Sequence, residues 1–271
     1  MPFASINGVK LNYELHGESG DPLVLVHGYT GDITDWRHQI PAFSPSFRVL
    51  IADNRGHGQS EAPADRSAYG VEQMAADVEA LTAQLGLDRF HLLGHSMGGA
   101  VVQEIALNQP QRLLSLTLHD TTSSFAVTRM NPALALWRDY RFQLAETEGM
   151  NAVAEMAPPF PAPPHMPAAR LEETKKRLAG MSVDAFIGAW QGLAAWQGAE
   201  TRAQAITVPT LVIYGDLDTQ FIIDGSKSLA EQIPGAETAL IPEAGHSPQF
   251  ERPELFNAAL GAFLNRVSGE H

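Results

Sequence analysis

A serine stands between two glycines in Gly94-His95-Ser96-Met97-Gly98, after the apolar run Phe90-His91-Leu92-Leu93 and before residues of helical period. A tight turn from strand to helix forces its serine into a strained backbone conformation. The hydroxyl then projects at the helix N-terminus, where the peptide dipoles favour developing negative charge. Such a serine becomes a nucleophile when a base takes its proton and an acid orients that base. Among ten histidines, His246 is placed for the task, behind Gly245 and just after the last apolar run, 238–241. His95 lies inside the turn and cannot easily fold back on its neighbour. Three aspartates compete as the orienting acid. Asp218, in Tyr214-Gly215-Asp216-Leu217-Asp218, is favoured because it lies further out on its loop. Asp216 reads better as a turn cap, and Asp120, after the run 113–118, is a rival that could also swing toward the base.

A serine, histidine and aspartate in these roles perform acyl transfer, and the oxyanion that forms needs two preorganised N–H donors. One is the amide of Met97, next to the nucleophile. The other comes from His27-Gly28-Tyr29-Thr30-Gly31, with Tyr29 as the natural donor. The chain has no cysteine, which excludes thiolate nucleophiles, disulfides and Cys-ligated metals. No cofactor and no metal is expected.

Short apolar runs must carry these residues. They occur at 23–26, 47–51, 90–93, 113–118, 210–214 and 238–241, with helical periodicity between them, the pattern of a mainly parallel sheet covered by helices. A hairpin around Asn7-Gly8 precedes them, giving about eight strands in an α/β fold. Helices are expected near 72–85, where Ala75, Val78, Leu81 and Leu85 share a face, and near 97–108, 224–232 and 253–266. Pro253 fits a first helical turn, and Pro110 stops the helix that begins near Met97. The alternation lapses over 121–205, which reads as helices without strands. Inside it, 157–167 holds six of the chain's 18 prolines, a stiff connector or, in the lesser reading, a docking segment for a proline-binding partner.

The order Ser96, Asp218, His246, with His27-Gly28 upstream, Asp53-Asn54-Arg55-Gly56-His57-Gly58-Gln59-Ser60 after the fourth strand and Gly245-His246 near the end, resembles the α/β-hydrolase fold family. The resemblance implies an eight-stranded, mostly parallel sheet whose second strand is antiparallel. It also implies a helical cap inserted after strand six, so that 1–120 and 206–271 form the core and 121–205 the cap. Asp53, Arg55 and His57 are expected to shape loops rather than react. Members that open epoxides or displace halide use an aspartate where Ser96 stands. Members that cleave C–C bonds in ring-fission products share the triad but add a cap arginine, for which Arg129, Arg138, Arg141, Arg170, Arg177 and Arg202 are candidates. Enol-lactone hydrolases and cofactor-free peroxidase-like esterases are also similar. A carboxylic ester or lactone is the common denominator. A non-enzymatic receptor on this fold would lack a triad residue, and all three positions are filled.

The expected cap holds Trp137, Trp190 and Trp196, with Phe186, Trp190 and Leu193 on one helical face. These pack the cap on the body or, with Trp137, Phe186 and Trp190 as lining, form an apolar substrate wall. The net charge of −13 disfavours nucleic acid and anionic membrane as partners. Eight Lys+Arg balance eight Asp+Glu within 121–205, so the excess acid lies on the body. A neutral cap suggests a neutral or weakly charged, apolar small molecule. Nothing at the N-terminus reads as a signal peptide and no apolar run approaches membrane length, so a cytoplasmic protein is expected.

Overall fold

The computed structural model describes residues 2–126, 132–157 and 168–269. The prolines of 158–167 and Arg129 lie outside the described residues. Eight strands form one sheet: β1 (Phe3–Ile6), β2 (Val9–His16), β3 (Pro22–Val26), β4 (Arg48–Ala52), β5 (Phe90–His95), β6 (Leu113–His119), β7 (Thr210–Gly215) and β8 (Glu237–Ile241). Their order is β1-β2-β4-β3-β5-β6-β7-β8. β2 runs antiparallel to β1 and β4, and every other pairing is parallel. The expected hairpin is present, with Ile6 opposite Val9 and positive φ at Asn7 and Gly8, as a two-residue turn requires.

The helices are α1 (Gln39–Phe43), α2 (Val71–Gln84), α3 (Met97–Asn108), α4 (Pro132–Glu148), α5 (Met150–Glu155), α6 (Ala168–Gly180), α7 (Val183–Ala195), α8 (Gln220–Gln232), α9 (Pro248–Glu251) and α10 (Pro253–Ser268). Side chains alternate across the strands and so feed two cores. Val24, Val26 and Leu50 pack under α2 and α3, whereas Leu23, Leu25, Val49 and Ile51 face α1 and α10. Strands covered on both faces read as unbroken apolar runs, which is why they were visible in the sequence. Helix α8 starts four residues ahead of the expected 224, because Thr219 can begin it directly after the β7 loop.

The chain leaves β3 toward one side of the sheet and returns through β5 on the other, so the winding reverses between the carboxyl ends of β3 and β5. Open α/β sheets bind ligands at such a point. The serine turn follows β5 and the Tyr29 loop follows β3.

Between β6 and β7 the described residues form helices α4 to α7 and a short turn, Ala203–Ala205, with no strand. Charged bridges tie them to the sheet's loops. Arg170 and Arg177 reach the buried Asp35 at 2.6 and 2.7 Å, Arg37 takes Glu173 at 2.8 Å, and Arg66 bonds Asp184 and Glu146 at 2.8 Å each. Helix α7 also seats on the turn Arg66–Tyr69 so closely that a Cβ at Gly192 would fall 2.2 Å from the Tyr69 carbonyl oxygen.

Candidate active site

Ser96 has φ 52° and ψ −115°, a conformation that L-residues rarely adopt. The surroundings impose it. Ser96 donates its N–H to the His119 carbonyl at 2.9 Å, and its own carbonyl accepts the Thr121 hydroxyl at 2.8 Å and the Gly99 N–H at 2.8 Å. The flanking glycines are sterically required. A Cβ at Gly94 would meet the Gly98 carbonyl oxygen at 2.2 Å, and one at Gly98 would meet the Val26 carbonyl oxygen at 2.3 Å.

His246 Nε2 lies 2.9 Å from Ser96 Oγ, and His246 Nδ1 lies 2.7 Å from Asp218 Oδ2. With Asp218 accepting the Nδ1 proton, Nε2 is free to take the one on Ser96. Burial opposes an imidazolium here, but the charge and hydrogen bond of Asp218 outweigh it and raise the His246 pKa above its ordinary value. Burial likewise works against the Asp218 carboxylate. The His246 cation and hydrogen bonds from His246, Asp120 and the Thr219 N–H overcome that penalty and hold its pKa down.

The rival acids serve other ends. Asp216 Oδ1 accepts the Ala244 N–H at 3.3 Å, a turn contact as expected. Asp120 is fully buried beside Asp218 instead of reaching His246, and its Oδ1 accepts the Gly215 N–H at 3.0 Å. Burial first, then the neighbouring Asp218 charge, push its pKa well up, so it keeps its proton beside Asp218. Donor atoms of Asp120, Asp218 and His246 fall within 4.8 Å of one another, close enough to share a cation. The 2.7 Å His246–Asp218 bond already engages two of the three.

The loop bearing Tyr29 presses on the serine turn: a Cβ at Gly28 would lie 3.1 Å from Ser96 Cβ. Neither the Tyr29 N–H nor the Met97 N–H donates to another described group. The Tyr29 phenol donates to the Phe186 carbonyl at 2.7 Å, its ring stacks on Phe186 at 5.6 Å, and Trp190 meets it edge-on at 5.4 Å. Phe186 and Trp190 are thus brought to the site. Trp137 joins them through Arg141, whose Cζ lies 4.4 Å above the Trp137 ring and 5.1 Å above that of Phe186.

Asp53, Arg55 and His57 hold loops. Asp53 accepts the Ile33 N–H at 2.8 Å, the Gln59 N–H at 2.9 Å and the Asn12 amide at 2.8 Å. Arg55 grips both oxygens of Asp77 at 2.7 Å. His57 Nδ1 bonds the Arg55 carbonyl, and burial drives its pKa down to about 3.

Three supports were not read from the sequence. His95 Nε2 donates to the His246 carbonyl at 2.7 Å, and the rings of His119, His95 and His246 follow one another at 4.6 and 5.0 Å. Burial keeps His95 and His119 neutral at physiological pH, the latter with a pKa lowered to about 4. Glu251 accepts the Gly245 and Ser247 N–H groups on either side of the base. The signal for Glu251 was its spacing of five from His246, which places it on the first turn of the next helix.

A family model described as alpha/beta hydrolase fold matches residues 21–253. The dihydrolipoyllysine-residue acetyltransferase component of an acetoin cleaving system from Pseudomonas putida is 34% identical, over 97% of this chain and 69% of its own. A putative carbamate hydrolase from Variovorax paradoxus is 32% identical, over 96% of this chain and 98% of its own. The crystal structure of the enol-lactonase from Burkholderia xenovorans superposes with a TM-score of 0.85 at 30% identity, covering 97% of this chain and all of that one.

Proposed function

This chain belongs to the α/β-hydrolase fold family, and we propose that it is a serine hydrolase cleaving a carboxylic ester or lactone of a small molecule through an acyl-enzyme on Ser96. The observation that carries the reading is the unbroken chain Ser96 Oγ, His246 Nε2, His246 Nδ1, Asp218 Oδ2, with links of 2.9 and 2.7 Å. His246 removes the serine proton as Oγ attacks the carbonyl carbon. The oxyanion is held by the unused N–H groups of Tyr29 and Met97, each worth about 10²–10³ in turnover. His246 then protonates the departing alkoxide, and water, activated by the same base, releases the acid. A lactone is an internal ester, so the likeness to an enol-lactonase supports this bond type. Residues 121–205 act as the cap over this site, with Phe186, Trp190 and Trp137 as its apolar lining. No described helix is long and apolar enough to cross a membrane, which accords with a cytoplasmic enzyme acting on a dissolved small molecule.

Ser96→Ala tests the mechanism. Hydrolysis of short 4-nitrophenyl esters falls by about 10⁴-fold or more while the melting temperature holds. A variant retaining more than a few per cent of activity overturns it.

A further inference from the structure

The base stands on the loop between β8 and α9, and three main-chain groups around its imidazole are held by side chains. Glu251 accepts the Gly245 N–H at 2.5 Å and the Ser247 N–H at 3.2 Å, one on each carboxylate oxygen. Between them, the His246 carbonyl accepts the His95 Nε2–H at 2.7 Å. A carbonyl can only accept, so the proton of the neutral His95 imidazole lies on Nε2. Its Nδ1 is correspondingly a lone pair, buried and without a hydrogen-bond partner. The single proton of His95 is thus committed to the backbone of the base.

His95 is also the last residue of β5 and the immediate neighbour of Ser96. The serine turn therefore meets His246 at two points: Ser96 Oγ on the ring, at 2.9 Å, and His95 Nε2 on the main chain, at 2.7 Å. Together they close a ring of bonds that fixes the base against the nucleophile. The reaction treats the two points differently. Once Oγ carries the acyl group it has no proton to give, and the first bond is lost. The second involves no reacting atom and survives, as do the two bonds to Glu251.

We infer that His95, with Glu251, is a positioning residue that keeps His246 in place through the acyl-enzyme, when the nucleophile no longer does so. This rests on the serine-hydrolase reading and deepens it. In that phase Nε2 takes a proton from a water whose oxygen bonds to the acyl carbon. The tetrahedral adduct then collapses, the C–Oγ bond breaks, and His246 returns the proton to Oγ. Attack by water depends on where Nε2 stands, and a displacement of about 1 Å costs about 10²-fold. In the free enzyme Ser96 and Asp218 both orient the ring, so acylation leans less on His95.

The test separates the two half-reactions on 4-nitrophenyl acetate. On an acyl-enzyme pathway kcat/KM reports acylation, and kcat reports deacylation once that step limits. His95→Phe keeps an aromatic ring between His119 and His246 and loses the donor. Its kcat falls by about 30-fold or more while kcat/KM changes by about threefold or less, and acetyl-enzyme accumulates, seen as a burst of 4-nitrophenol and by intact mass. His95→Gln, whose side-chain amide N–H reaches about as far as an imidazole Nε2–H, recovers most of the lost kcat. Equal falls in kcat and kcat/KM overturn the inference, as does a His95→Gln no better than His95→Phe, or a lowered melting temperature with rates unchanged. Should His95→Phe fail to fold, Glu251→Leu, which removes both acceptors, shows the same split or the inference is wrong. Ser96→Ala keeps the two readings apart. Hydrolysis retained there overturns the serine reading and this inference together, whereas hydrolysis lost there with unaltered kcat in His95→Phe overturns this inference alone.

Discussion

The buried carboxyl of Asp120 has an oxygen within 4.8 Å of one of Asp218, and its other contacts are the Gly215 N–H at 3.0 Å and His119 Nδ1 at 2.8 Å. Two carboxylates so near cannot both ionise, and the pair resolves unequally: Asp218 faces an imidazole and loses its proton, and Asp120 faces none that is charged and keeps its own. The acid of the triad is thereby backed by a second, protonated acid. Asp120→Asn preserves a donor in the same place and keeps kcat within about threefold of the wild type. Asp120→Ala strands the Gly215 N–H and a side of Asp218, lowering stability by about 1–3 kcal/mol and kcat by about tenfold. Parallel kcat and denaturation measurements distinguish this from a charge role, under which both variants suffer alike.

His246 carries a raised pKa because Asp218 outweighs burial. The base works as the neutral imidazole, so kcat/KM rises with pH through a midpoint above about 6.5, the free-imidazole value. In Asp218→Asn the main opposition to burial is lost and only the Glu251 charge still works against it. The midpoint moves to lower pH while the plateau falls by about 10⁴. A pH profile whose midpoint stays put in Asp218→Asn contradicts the assignment.

Asp35 gathers two guanidinium groups, Arg170 and Arg177. Burial alone would raise its pKa, but the two cations together drive it far below the carboxylate range. A depressed pKa stabilises the fold fully above the unfolded carboxylate value of about 3.9, and the contribution drains away only as pH falls below it. Asp35→Ala leaves the arginines facing each other and destabilises by about 3–5 kcal/mol. Urea titration at pH 7 measures the loss, and limited proteolysis shows whether 168–195 detaches first.

Gly98→Ala places a methyl 2.3 Å from the Val26 carbonyl oxygen, where only main chain could yield. A destabilisation of about 3 kcal/mol with loss of esterase activity is expected, measured by thermal melting and 4-nitrophenyl acetate turnover. A stable, active variant would show that the serine turn tolerates displacement from β3.

The strands and the serine turn were legible because both are local: unbroken apolar runs, a glycine on either side of a serine, a helix after it. The acid was not fixed to the same degree. Asp120 and Asp218 each follow a strand, and only the packing of β6 beside β7 decides which of the two faces His246. His95 and His119 gave no signal because their partners lie 151 and 130 residues away, at the His246 carbonyl and Gln249. Arg141 was one of six similar arginines in sequence. Among the described residues it alone of five finds no carboxylate, which pairing in space reveals and composition does not.

Tyr29 spans the interval between sheet and covering helices with its two ends. Its phenol is fastened to the Phe186 carbonyl in α7 at 2.7 Å, while its N–H, which donates to no other described group, lies on the loop pressed against the serine turn and is the proposed oxyanion donor. A substrate that wedges α7 away from the loop must break that bond or drag the N–H with it. Closure of the helices and readiness to hold the oxyanion are then a single mechanical coordinate, and a guest too bulky for the aromatic cluster spoils the chemistry before it is excluded from the room.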